Sequence, residues 1–150
     1  MLKKTATSIT FAVLSSFTSI VFAANTVPVT LNNDSLIWQK LPSAPNLQYA
    51  VMTGNPDKND FFVIRLKLPK NYTDIVHEHD KPRYDTIISG ALNVGFGDTV
   101  DKTKTQRLSP GSFMVCPAGS KHYGFTTEET IVQISGIGPW KALKTAGMKR

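Results

Sequence analysis

The stretch "GSFMVCPAGSKHYGFT" (residues 111–126) carries the most specific pattern in the chain. Gly111 is followed by five residues and Pro117, then by one residue and Gly119, then by two residues and His122. The apolar run before Pro117 and the alternating run after Gly119 each have the length of a short β-strand. Proline and glycine between them reverse the chain. The stretch therefore predicts strand, turn and strand, with a histidine close behind the turn.

The rest of the chain repeats this rhythm, with short β segments separated by Gly, Pro, Asn or Asp at intervals near ten residues. The clearest strand is "FFVIRLKLP" (residues 61–69), where apolar side chains alternate with Arg65 and Lys67. Further strands are predicted in "QYAVMTG", "YDTIIS", "ALNVGFG", "TQRLSPGSFMVC", "KHYGFTT" and "ETIVQISGIG". This spacing is typical of an all-β sandwich or barrel.

A second stretch, "HEHDKPRYDTIISG" (residues 77–90), places two histidines one residue apart. In a strand, residues two apart point the same way, so His77 and His79 share a face while Glu78 points away. Two imidazoles at that spacing can chelate one metal ion if the face lines the inside of a barrel. A lone pair of this kind is weak evidence, because such pairs also arise on solvated strands.

Together the two stretches resemble the two sequence motifs of the cupin family. The first cupin motif has H-x-H, a glutamate and a later glycine; the second has Gly, Pro, Gly and His at the spacing found here. The matching residues are His77, His79, Gly90, Gly111, Pro117, Gly119 and His122. All three histidines of the chain fall on positions that are metal ligands in cupins.

The resemblance implies a single cupin-type antiparallel β-barrel (a double-stranded β-helix, or jelly roll), often a homodimer. It implies one divalent transition metal, Fe, Mn, Ni, Cu or Zn, bound by His77, His79 and His122. The turn at Pro117 and Gly119 then brings His122 to the histidine pair from another strand. The alternative is a cupin that has lost its metal and satisfies its histidines by hydrogen bonds.

The chain departs from the cupin pattern at Arg83, which stands where a typical cupin has its glutamate. Arginine stays protonated and only donates hydrogen bonds, so it cannot be a metal ligand. One reading is a three-histidine site resembling the cysteine dioxygenases, with Arg83 swung outward or held back to grip an anionic substrate. In another, Asp85 on the same strand face, or Asp80 from the loop, is a fourth ligand. In a third, metal binding or catalysis is lost.

Two functions follow from the resemblance. The first is a metal-dependent oxygenase acting on a small anionic organic molecule, with Arg83 orienting the substrate and Tyr84 in an acid–base role. The second is a non-catalytic module that binds a small ligand, with or without metal. Fold analogy alone does not choose between them, because one barrel hosts many chemistries.

The ends of the chain differ from its body. Lys3 and Lys4, an apolar stretch and small residues before Ala24 predict a secretory signal peptide over residues 1–23, cleaved after Ala23. The apolar stretch is short and diluted by Ser and Thr, so stable membrane insertion after cleavage is not expected. Residues 24–48 are predicted as an extended arm, 49–138 as the barrel and 139–150 as a basic tail, with a turn or two of helix in "PWKALKTAGMKR".

Net charge, cysteine content and the N-terminal stretch limit the possible partners and the cellular location. The 17 basic and 11 acidic residues give a net charge of +6, which loss of Lys3 and Lys4 would lower to +4. Much of that excess lies in the tail, so a nucleic-acid-binding face is not expected. Cys116 is the one cysteine, which excludes an intramolecular disulfide. The leader predicts a periplasmic or secreted protein. Cys116 is predicted to be a buried core thiol, with a thiol near the site as the alternative.

Overall fold

Residues 28–141 and 143–144 are described by a computed structural model of the chain, the side chains of 143 and 144 excepted. The chain divides into Met1–Thr30 and Leu31–Arg150, and every element below belongs to the second part. The predicted signal peptide, residues 1–23, lies outside the described residues. Within the described part, no helix has the length and apolar character needed to cross a membrane.

The described residues are built almost wholly from β-strands, with short 3-10 helices at Asn33–Ser35 and Lys102–Lys104. The strands are β1 (Gln39–Leu41), β2 (Ala44–Gly54), β3 (Phe61–Leu68), β4 (His77–Glu78), β5 (Arg83–Ser89), β6 (Leu92–Phe96), β7 (Gln106–Leu108), β8 (Phe113–Cys116), β9 (His122–Phe125), β10 (Thr130–Ile137) and β11 (Leu143–Lys144).

The strands form two antiparallel sheets. The six-stranded sheet has the order β1-β2-β3-β10-β5-β8, and the five-stranded sheet has the order β11-β4-β9-β6-β7. Neighbours that are distant in sequence, such as β3 and β10, are typical of a jelly roll. The prediction of an all-β, cupin-type antiparallel barrel is confirmed.

The hydrophobic core fills the space between the sheets. Phe62, Ile64 and Leu68 on β3 are buried, as the alternation in "FFVIRLKLP" predicts. They pack with apolar residues of both sheets, namely Ile87, Leu92, Val94, Leu108, Met114, Val132 and Ile134. Packed apolar side chains of this kind supply most of the driving force for folding.

Two parts of the chain depart from the expected layout. Strand β2 begins at Ala44, inside the predicted arm, and β1 pairs with it at one edge of the six-stranded sheet. Near the other end, Leu143–Lys144 are extended and pair with β4, so the helix predicted there is wrong for these two residues. Trp140 packs against the core beside this strand pair.

The turn between β8 and β9 positions His122 close to the other two histidines. Gly119 has φ of +71°, a left-handed conformation that favours glycine, and its N–H donates to the His79 carbonyl over 2.8 Å. The turn is closed by a hydrogen bond from Ser120 N–H to the Pro117 carbonyl. The spacing of the second motif thus ties the turn before His122 to the backbone of the first motif.

Candidate metal centre

The three histidines lie on or beside the five-stranded sheet. His77 on β4 lies directly opposite His122 on β9, and His79 follows one residue after β4 ends. The ring centroids of His77 and His122 are 4.3 Å apart, and those of His79 and His122 are 5.4 Å apart. One ring nitrogen from each histidine lies within 4.8 Å of the others, and all three residues are buried. The structure therefore brings the three predicted ligands together.

Backbone carbonyls set the tautomer of each imidazole. The Nδ1 atoms of the three rings lie 2.9, 2.7 and 2.8 Å from the carbonyl oxygens of Ile75, Lys141 and Ser120, respectively. A carbonyl oxygen only accepts hydrogen bonds, so each neutral ring carries its proton on Nδ1 and keeps its lone pair on Nε2. This outer hydrogen bond is the one that orients histidines bound to metals.

Two of the imidazoles are held in the neutral form. Burial, assisted by the positive charge of Arg83, lowers the pKa of His79 to about 3. The same two causes lower the pKa of His122 to about 3. A metal binds the deprotonated imidazole nitrogen, so these rings need release no proton at neutral pH. By tautomer and charge, the donor set fits a divalent transition metal.

Arg83 reaches this donor set from the opposite sheet. It lies on β5, and its Nη1 donates to His79 Nε2 over 2.6 Å while its Nη2 is 3.3 Å from His122 Nε2. The guanidinium therefore points into the cluster, and the expectation that Arg83 swings outward is wrong. The cause is the period of β5, which turns Arg83 and the buried Asp85 to the same inner face.

Asp85 anchors the guanidinium. Its Oδ2 accepts from Arg83 Nε at 3.1 Å and lies 2.9 Å from Arg83 Nη2. Burial raises the pKa of Asp85, although the Arg83 charge opposes that shift. Its Oδ1 is buried and has no hydrogen-bond partner among the described residues. Asp85 is thus placed at the site as the partner of Arg83, whereas Asp80 is exposed.

A small cavity of about 50 Å³ adjoins the cluster. Its polar wall includes His77, His122, Arg83 and Asp85, and the remaining wall is largely apolar side chains of both sheets. A volume of this size holds a few water molecules or a small ligand.

Tyr84 does not reach the cavity. It is 43% exposed, on the outer face of β5, and its ring stacks on Phe113 at a centroid distance of 6.5 Å. Alternation along β5 requires this, because both neighbours of Tyr84 point inward. The prediction of an acid–base role for Tyr84 is corrected accordingly. Tyr123 lines the cavity, but its hydroxyl donates to the Asp101 carbonyl at 2.8 Å.

Two further groups contact the histidines, and only the first of them escapes sequence reasoning. The carbonyl of Lys141, which orients His79, comes from the segment predicted as a basic tail. Cys116 is buried as predicted, and its Sγ also lies 3.3 Å from His122 Nδ1. Burial raises the pKa of this thiol, so it stays protonated beside the ring. A backbone carbonyl leaves no signature in the residue type, and no pattern could have pointed to Lys141.

Comparison with known proteins agrees with the fold and the motifs. Germin-like protein 9-2 of Oryza sativa subsp. japonica is 28% identical over 87% of this chain and 64% of its own length. Germin-like protein subfamily 1 member 1 of Arabidopsis thaliana is 29% identical over 64% of this chain and 46% of its own length. The chain thus spans less than two thirds of either relative. No protein-family model matches it.

Solved structures with the same architecture include three at low sequence identity. The polyketide cyclase RemF from Streptomyces resistomycificus has a TM-score of 0.62 at 14% identity, over 79% of this chain and 86% of that one. An RmlC-like cupin from Shewanella frigidimarina has a TM-score of 0.58 at 14% identity, over 77% and 94%. KdgF from Halomonas sp. has a TM-score of 0.57 at 21% identity, over 71% and 93%.

An antiparallel two-sheet barrel with a clustered histidine triad has the fold and the motif residues of a cupin. The relatives and the fold neighbours agree on the same class. The chain therefore has the cupin fold, and its histidine motifs are similar to those of cupins.

Proposed function

We propose that this cupin binds one divalent transition metal through His77, His79 and His122. The observation that carries the proposal is the set of three Nδ1 contacts to backbone carbonyls, each of which makes Nε2 the ring nitrogen that a metal would use. Iron, manganese, nickel, copper and zinc all accept imidazole ligands, so the chemistry of the donors admits each of them.

The proposed chemistry is that of a metal-dependent oxygenase acting on a small anionic organic molecule. A divalent metal held by three histidines retains open coordination positions and supplies Lewis-acid or redox chemistry. The small cavity limits the reacting part of the substrate to a few atoms. Its wall is largely apolar, and Arg83 supplies a permanent positive charge that would orient an anionic group.

The setting we propose for this activity is the periplasm or the outside of the cell. The support is the predicted signal peptide, with cleavage after Ala23. N-terminal sequencing of the protein recovered from its host should begin at Ala24. A mature chain that retains Lys3 and Lys4 in the cytoplasm would contradict this part of the proposal.

A metal-free binding module for a small ligand is the second candidate. The observation that favours it is the guanidinium of Arg83, which already contacts the Nε2 atoms of His79 and His122. In that function the histidines would help hold Arg83, and Arg83 would hold the ligand. Tight binding of a small anion in the presence of a chelator would favour this candidate.

Elemental analysis of the protein purified without an affinity tag separates the two candidates. We expect close to one equivalent of a transition metal in the parent protein and none in His122→Ala. The control is Arg107→Ala, because Arg107 pairs with Glu128 on the surface. Parent protein that lacks metal and cannot be loaded with Fe(II), Ni(II), Cu(II) or Zn(II) would overturn the metal-binding proposal.

A further inference from the structure

Arg83 and a metal ion require the same atoms of the histidine cluster. The lone pair on His79 Nε2 accepts the Nη1–H of Arg83 over 2.6 Å. The same lone pair would have to face a metal at about 2.0–2.1 Å. A neutral imidazole nitrogen has one lone pair and cannot serve both partners. The proposed metal site is therefore taken, in the arrangement described, by a cation of the chain itself.

We infer that the Arg83 guanidinium and the metal exclude one another, so that Arg83 is a resident competitor that sets the metal affinity of this cupin. The inference rests on the proposed function, since it concerns the same three histidines. It goes beyond that proposal by assigning a specific role to the residue at which the chain departs from the cupin pattern.

Repulsion between like charges also prevents Arg83 and a metal ion from occupying the cluster together. Arginine remains protonated at any pH at which the fold exists. A guanidinium within hydrogen-bond distance of two imidazoles would also lie close to a dication bound by them, in a site that is largely buried. Repulsion between like charges is strong where water cannot screen it. Metal binding therefore requires the distal end of Arg83 to move.

The surroundings of Arg83 permit such a movement without loss of its anchor. Asp85 Oδ2 accepts from Arg83 Nε, so this contact can persist while Nη1 leaves His79. Arg83 also lines the cavity beside the cluster, which offers space to the displaced Nη1. After the exchange, Nη1 would be free to donate to an anionic ligand in the cavity.

Metal titration of four proteins tests the inference. Calorimetric titration of chelator-treated protein with Zn(II), and with Co(II) followed by visible absorption, would compare the parent with Arg83→Leu. Leucine removes the charge and every donor. A second variant, Arg83→Leu/Asp85→Asn, also removes the buried carboxylate that the first leaves unpaired. The control is Arg107→Leu, since Arg107 pairs with Glu128 on the surface.

The expected result is one site per chain, with Zn(II) and Co(II) bound roughly tenfold or more tightly by both Arg83 variants, a scale typical of groups that touch metal ligands. Arg107→Leu should match the parent. If the parent binds metal and neither Arg83 variant that folds binds it more tightly, the inference falls while the proposed function stands. If only the Arg83 variants bind metal, the inference stands and the metal-binding function of the parent falls. If none binds metal, both fall.

Discussion

The two sheets make different contributions to one site. Three features on the side of the five-stranded sheet bring the histidines together. They are the two-residue period that starts in β4, the direct pairing of His77 with His122, and the turn at Gly119. The six-stranded sheet presents the opposite kind of group, the pair formed by Arg83 and Asp85 on β5. The histidines supply nitrogen lone pairs, and the six-stranded sheet supplies a guanidinium that donates hydrogen bonds and accepts none. The site therefore depends on how the two sheets pack against each other.

This difference shows why the spacing of the cupin motifs does not by itself assign a metal. The same histidine arrangement can face a ligating acid or, as here, a guanidinium that donates to it. Predictions that separate the contributions of the two sheets are therefore the most informative.

The largest change in the free energy of unfolding is expected from a substitution in the six-stranded sheet. Asp85→Asn removes the carboxylate that holds Arg83 and leaves a largely buried cation without its counter-charge. Breaking a buried ion pair in this way costs about 3–5 kcal/mol of the free energy of unfolding. Urea unfolding of the metal-free protein would measure it.

The matched control is Glu128→Gln, which breaks the exposed contact of Arg107 Nη2 with Glu128 Oε1 at 3.2 Å. Exposed pairs contribute about 0–1 kcal/mol. Equal losses in Asp85→Asn and Glu128→Gln would show that the buried pair has no special role.

A smaller difference between variant and parent is expected when one of the two neutral histidines is replaced. His79 and His122 have pKa values lowered to about 3 from 6.5, so the unfolded chain binds their protons first. Their contribution to stability is complete above pH 6.5 and is lost as the pH falls from 6.5 toward 3. The slope is up to about 1.4 kcal/mol per pH unit for each histidine.

Urea unfolding of the metal-free protein at pH 7, 6 and 5 would measure this slope. Because His122→Gln removes one of the two groups, its stability should fall less steeply with acid than that of the parent. Parallel pH profiles for the parent and His122→Gln would contradict the assignment.

The smallest change in stability and metal affinity is expected from a substitution on the outer face of the six-stranded sheet. Tyr84→Phe removes a hydroxyl from an exposed ring that stacks on Phe113. Stability should stay within about 0.5 kcal/mol of the parent, and metal affinity should not change. A tenfold loss of metal affinity in Tyr84→Phe would show that the outer face reaches the site in a way that strand alternation does not allow.

The parts of the site that could be predicted from sequence are those that depend on local periodicity and turns. The gathering of His77, His79 and His122 follows from a two-residue period and from a Pro-Ala-Gly turn. The same period, applied to β5, would have excluded Tyr84, since Arg83 and Asp85 on either side of it share the inner face. The contact of Arg83 with His79 could not be predicted from the sequence. It joins β5 of one sheet to the segment that follows β4 of the other, so it depends on how the sheets pack.

The most direct test concerns the Nε2 atoms of His79 and His122, which accept the guanidinium of Arg83 and must therefore be unprotonated. Long-range proton–nitrogen NMR of the metal-free protein at pH 7 reads the protonation of each ring nitrogen directly. We expect a proton on Nδ1 of His77, His79 and His122, and an unprotonated Nε2 in His79 and His122. An Nε2–H tautomer or an imidazolium at His79 or His122 would contradict this assignment.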